Sequence, residues 1–277
     1  MSVVVMNVKL SIIIILGLCF GSFLNAFVYR LHENTKIKSK NNKLSITKGR
    51  SFCPSCKHVL GPMELFPVLS WVFLKGKCRY CHKPISIQYP LVELLTCVLF
   101  IASYVYWPLQ LNGFGIIGLL VWLIVLLGLI ALSIYDFRWM ELPNKVVFPL
   151  IYLYSVYVVY IAIFYHAFHR ALLSFLAGLI LFALFYAIFQ LSQAKWIGGG
   201  DVKLVFLLGL LSGSPVMAFL LVFIASLLGT GYALILYPMK GKLMHTKIPF
   251  GPFLILATIT VVLFGAKLLS WYSGLLG

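Results

Sequence analysis

The stretch GIIGLLVWLIVLLGLIALSIYD, Gly115 to Asp136, decides the fold class. Twenty-one residues pass without a charge before the run stops at a carboxylate. An apolar stretch of about twenty residues crosses the hydrocarbon core of a bilayer. It does so as a helix, because a segment in lipid must pair its own backbone N–H and C=O groups. Working outward from 114–135, comparable runs lie at roughly 10–29, 89–107, 146–165, 171–191, 202–213, 216–238 and 248–271. The reading is an all-α polytopic membrane protein of about eight transmembrane helices. Composition agrees: 62% of residues are hydrophobic, 10% are charged, and mean hydropathy is +1.04. A soluble domain of this length needs far more polar surface. The run at Leu10 to Val28 follows a single basic residue, Lys9, and no small-x-small cleavage site comes after it, so it reads as a retained first helix. The sixth segment, Val202 to Gly213, is about two-thirds of a crossing. It either continues with a kink through Ser214 and Pro215 or tucks between its neighbours.

The net charge of +16 is a membrane signature rather than a nucleic-acid one, because the charges sit in loops beside the spans. Twelve Lys and Arg fall between Arg30 and Lys83. Arg138, Lys145, Lys195, Lys203, Lys240, Lys242 and Lys247 alternate onto the same side. Only Lys9, Arg170 and Lys267 fall on the other. The asymmetry puts the first group in the cytoplasm and both termini outside. Three regions follow: residues 1–30, a first transmembrane helix; 31–88, a basic cytoplasmic loop; and 89–277, a transmembrane bundle. The expected partners include membrane lipids and exclude nucleic acid. Within the loop, His32 to Lys48 is polar and lysine-rich and is expected to be loosely ordered.

Asp136 and Asp201 are the only aspartates in the chain. Each is expected at a cytoplasmic helix end, Asp136 closing the third span and Asp201 opening the sixth. A carboxylate at a membrane edge is costly unless paired or wetted, so it marks function by default. Two at the same depth can share one water and one proton, since like charges in contact cannot both ionise. The ionised partner then deprotonates the water, and the protonated one donates to a scissile carbonyl oxygen. That is peptide hydrolysis without a metal. Gly198, Gly199 and Gly200 precede Asp201, where freedom to adopt positive φ and room for close approach would suit an extended substrate. Bland readings exist. Asp201 could be an N-cap, and Asp136 could pair with Arg138, Lys145 or Lys203. A proton or ion path is a further alternative, but a transporter favours carboxylates at the midplane.

Cys53-x2-Cys56 and Cys78-x2-Cys81 stand 21 residues apart in the basic loop. Two such knuckles read as a four-thiolate zinc site. A cytoplasmic position argues against disulfides, and Lys57, Lys77 and Arg79 would help hold the thiolates. Four cysteine ligands leave no open position, so the role is structural; the rival is a pair of redox-sensitive dithiols. His58 and His82 flank ligands but read as surface residues. Cys19 and Cys97 lie within spans and carry no assigned role. Glu93, about one turn into the second span, has two open readings: it binds the positive N-terminus or leader of a substrate, or it pairs with Arg79 or Lys83. Gly21, Ser22 and Asn25 follow helical spacing and predict close helix packing.

The ordered set of motifs resembles the type IV prepilin peptidases, the GxGD-type membrane aspartyl proteases, in the version that processes competence pseudopili in Gram-positive bacteria. It runs through Gly21-Ser22-Phe23-Leu24-Asn25, Tyr29-Arg30, the two cysteine pairs, Pro67-Val68-Leu69-Ser70-Trp71 and Tyr89-Pro90-Leu91-Val92-Glu93. Asp136 with Leu142-Pro143-Asn144, then Gly198 through Leu204, and finally Pro249-Phe250-Gly251-Pro252 complete it. The resemblance implies an endopeptidase that cuts the short basic leader from prepilins or pseudopilins at the cytoplasmic face, with Asp136 and Asp201 as catalytic carboxylates. It also implies a possible N-methyltransferase activity using S-adenosylmethionine, although no glycine-rich nucleotide fingerprint is present. Members often carry an acidic residue where this chain has Asn144. A presenilin-like intramembrane protease shares the aspartate motifs but lacks the cysteine loop.

Overall fold

A computed structural model describes residues 2–36, 49–240 and 248–276. The lysine-rich stretch after Lys36 and most of the loop before the last helix lie outside the described residues. Among the described residues all regular structure is helical, apart from two isolated β-bridges. The chain divides into two compact units, 1–105 and 106–277.

In the first unit, α1 (Ser2–Lys36) packs along α3 (Gln88–Val105); between them come a 3₁₀ turn (Pro62–Leu65) and the short α2 (Leu69–Phe73). The α1–α3 contact is as close as backbones allow. A Cβ on Gly17 would sit 2.7 Å from Cys97 Cα, and one on Gly21 2.7 Å from Glu93 Cα. Small residues permit such an approach, and dispersion then substitutes for the hydrophobic drive that lipid does not supply. The buried Asn25 donates from Nδ2 to the Tyr89 carbonyl at 3.1 Å, so the small-and-polar pattern in α1 is a packing seam. Lower down, Arg30 donates to the carbonyls of Gly49 and Arg50, tying α1 to the start of the cysteine segment.

The second unit comprises α4 (Gly113–Trp139), α5 (Asn144–Phe164), α6 (Phe168–Leu191), α7 (Gly199–Ser212), α8 (Pro215–Lys240) and α9 (Gly251–Leu276). Among the described residues seven helices are long and apolar enough to cross a membrane: α1, α3, α4, α5, α6, α8 and α9. The eighth, α7, has 14 residues and tucks between its neighbours. It stops at Ser212 because Gly213 takes a left-handed conformation (φ 76°) and Pro215 starts a new helix, so no kinked continuation exists. α7 packs against α5, α6, α8 and α9, with Leu204, Val205, Leu207, Leu208 and Leu210 fully buried. Its tightest approach is to α6, where a Cβ on Gly209 would meet the Ala177 carbonyl oxygen and Gly178 Cα, both at 2.7 Å. A helix too short to span is thus held among four neighbours, with Asp201 in its first turn.

Candidate active site and cysteine cluster

Three helix ends build the carboxylate site, all within the second unit. Asp136 lies in the last turn of α4, whose C-cap Met140 is left-handed (φ 53°) and returns its N–H to the Asp136 carbonyl at 2.8 Å. The side chain is buried, and its Oδ2 takes no hydrogen bond from the described residues. Asp201 is the third residue of α7. The N-cap is Gly198, whose N–H donates to Asp201 Oδ2 at 3.3 Å. Asp201 therefore sits one helical turn past the cap rather than at it, and its other oxygen, Oδ1, is turned elsewhere.

That direction is set by Gly251, the first residue of α9. A Cβ built there would lie 2.6 Å from Asp136 Oδ2 and 3.7 Å from Asp201 Oδ1. The two oxygens are thus no further apart than those two distances together, with the missing side chain of a buried glycine beside both. The described residues hold no ion pair to either aspartate. Lys203, one of the cations that could have neutralised Asp136, instead donates to Asn144 Oδ1 at 3.1 Å and lies over the Phe148 ring. Two carboxyl groups facing one small space, without a cation, can hold one proton and polarise one water. Gly251 carried no assigned role in the sequence reading. Its signal was a glycine set between Phe250 and Pro252 at a helix start.

The glycine run behaves differently from expectation. Gly198 has φ −76°, and none of the three glycines adopts positive φ. Gly199 and Gly200 begin a regular helix. Only Gly200 is crowded: a Cβ there would come within 3.0 Å of Leu142 Cβ, so the glycine lets α7 close against the α4–α5 connection. Gly198 and Gly199 are exposed beside Asp201.

Glu93 is buried in α3, and its Oε2 accepts the Val68 N–H at 2.6 Å. Among the described residues it makes no ion pair with Arg79 or Lys83. Val68 has φ 60°, a strained conformation for a β-branched residue. The carboxylate therefore secures the turn into α2.

The four cysteines of the loop converge. All four Sγ atoms lie within 4.8 Å of one another, and Cys53 Sγ and Cys81 Sγ are 3.9 Å apart. Tetrahedral zinc with Zn–S of about 2.3 Å separates its sulfurs by about 3.8 Å. The two knuckles are built alike. Cys53 N–H donates to His58 O and Lys57 N–H returns to Cys53 O; Cys78 N–H donates to Lys83 O and His82 N–H returns to Cys78 O. Lys57 and His82, each four residues past its first cysteine, are both left-handed (φ 61° and 54°). Burial opposes ionisation of Cys53, but the Cys56 and Ser55 N–H groups and the neighbouring thiols outweigh it and lower its pKa to about 7. The His58 N–H favours the Cys56 thiolate, yet desolvation and the Cys53 and Cys81 sulfurs push that thiol up to about 11. Four sulfurs this close shed all their protons only to a cation, so the cluster could hold a metal ion.

Residues 15–107 match the bacterial peptidase A24 N-terminal domain, and residues 123–234 match the type IV leader peptidase family. The chain is similar along most of its length to proteins called prepilin leader peptidase/N-methyltransferase. The one from Bacillus subtilis is 32% identical over 271 residues, covering 95% of this chain and 97% of that protein. The one from Aeromonas salmonicida is 31% identical over 284 residues, covering 95% and 93%. The one from Xanthomonas campestris is 34% identical, covering 93% and 92%. No solved structure gave a match. The chain, a multi-pass membrane protein with paired aspartates and a four-cysteine cluster, belongs to the type IV leader peptidase family.

Proposed function

We infer that this protein is an aspartic endopeptidase that removes the basic leader from type IV prepilins or pseudopilins, with Asp136 and Asp201 as its catalytic pair. The observation that carries this reading is the placement of both carboxylates around the side-chain-free Gly251. Helix polarity divides their work. Asp201 lies in the first turn of α7, where an anion is favoured, and Asp136 in the last turn of α4, where it is not. Asp201 then acts as base toward the water and Asp136 donates its proton to the scissile carbonyl. The exposed Gly198 and Gly199 form the rim along which an extended substrate lies. The charge asymmetry of the loops supports cleavage at the cytoplasmic face. In this reading 31–88 is a structural zinc loop between the first helix and the protease bundle, with Cys53, Cys56, Cys78 and Cys81 as ligands. The relatives' names support a second activity, N-methylation of the new terminus with S-adenosylmethionine. Glu93 stays outside the substrate contacts, since its carboxylate already holds Val68.

The test is cleavage of a pseudopilin carrying a basic leader by the full chain in detergent or vesicles. Asp136→Asn and Asp201→Asn are each expected to abolish processing while leaving the thermal unfolding midpoint near that of the parent. Processing at the parental rate by either variant would remove that carboxylate from the mechanism. Metal analysis of reduced protein is expected to find about one zinc per chain.

A further inference from the structure

We propose that the corner from Pro62 to Phe73 is seated in the membrane interface, and that the basic hollow beside it holds the phosphate groups of anionic phospholipids. The corner exposes Met63, Phe66, Leu69, Val72 and Phe73, with Met63 79% and Phe73 80% accessible. Five large apolar side chains exposed within eleven residues are more than a water-facing loop carries without a partner. Next to it, Lys75, Lys77, Arg79 and His82, with Phe73, Leu74 and Cys78 of the cysteine cluster, line a hollow of about 290 Å³.

Depth within the unit identifies the partner. Val68, at the head of α2, is bonded to Glu93, the sixth residue of α3. That point lies about 7 Å along the helix from its first residue. α3 is a membrane-crossing helix whose neighbouring Leu91, Leu94, Leu95 and Val98 are exposed. The corner is therefore tied beside the first two turns of a span, at the depth where amphipathic segments enter the headgroup and acyl boundary. Nor is it free to swing away. Trp71 Nε1 donates to Ile85 O at 3.2 Å, and Gly76 (φ 68°) brings the backbone against the Trp71 ring, where a Cβ would be 2.9 Å from Cζ2.

Charge selects the kind of lipid. From Gly49 to Ile87 there are six Lys and Arg and one acidic residue, Glu64, which is bonded to the Gly61 N–H. A zinc ion on four thiolates leaves two negative charges, too few to balance these cations. The surplus suits an anionic surface and repels both a basic leader and a second copy of the same loop.

The test places a photoreactive benzoyl-phenylalanine at Phe73 in the full chain, reconstituted in phosphatidylcholine vesicles with a minor share of phosphatidylglycerol. Adducts are read by mass spectrometry. The expected product is a phospholipid adduct enriched in phosphatidylglycerol above its share of the vesicle. Enrichment should fall about fivefold for each cation removed among Lys75→Gln, Lys77→Gln and Arg79→Gln, and should also fall in high salt without any substitution. No lipid adduct, an adduct to a second copy, or phosphatidylglycerol at its bulk share would each overturn the proposal. The salt series and the parent adduct decide the matter even if a charge variant unfolds.

Discussion

Gly251 illustrates how one missing side chain shapes a site. Its hydrogen faces Asp136 Oδ2 and Asp201 Oδ1, so Gly251→Ala places a methyl where a water and a substrate carbonyl must approach. Cleavage is expected to drop about a hundredfold, the order that an ångström of misplacement costs, while the helices stay folded by circular dichroism. Glu93 allows a sharper separation. If its oxygen serves Val68, Glu93→Gln keeps an acceptor and should process substrate at nearly the parental rate. Glu93→Ala leaves the Val68 N–H unpaired and should cost about 1–3 kcal/mol in unfolding. A Gln variant that binds substrate poorly at parental stability would instead restore the charge role. Asn144 accepts from Lys203 through its Oδ1. Asn144→Asp turns that exposed hydrogen bond into an ion pair, for a gain of under about 1 kcal/mol.

Among the elements, α7 carries the greatest constraint for its length. It is 14 residues long, buried at most positions, and pressed onto α6 at Gly209 and Gly178. Gly209 lies eight positions after Asp201, so a shift at the crossing is carried about 12 Å along a rigid helix to the carboxylate. Gly209→Val is expected to lower stability by about 1–3 kcal/mol through overpacking and to slow cleavage further than its stability loss explains. A thermal midpoint and a rate measured on one preparation check this. The cysteine knuckles respond to a different lever. Removing metal with a chelator should make all four thiols reactive toward iodoacetamide, the buried Cys53 and Cys78 included. Alkylation confined to Cys56 and Cys81 would mean that the cluster stands without a metal.

Sidedness is a property of the entire chain, and the concentration of Lys and Arg in alternate loops is expected to set it. Trypsin applied to inverted vesicles should cut within the basic segment 31–87, and trypsin applied to right-side-out vesicles should not. The membrane helices and the order of their charges were legible in the linear chain, because lipid imposes length, apolarity and self-satisfied hydrogen bonding on each segment separately. Cysteine spacing was legible for a similar reason: a knuckle is local, and its hydrogen bonds close within six residues. Residue patterns could not decide whether α7 stops short or continues through a kink, nor show that the glycines before Asp201 enter a regular helix, that Glu93 bonds the Val68 N–H, or that Gly251 stands beside both aspartates. Each of these depends on contacts between segments distant in sequence. Asp136, Asp201 and Gly251 come from three helices, and their meeting point is set by how closely backbones approach at glycines, a quantity that composition and periodicity do not carry.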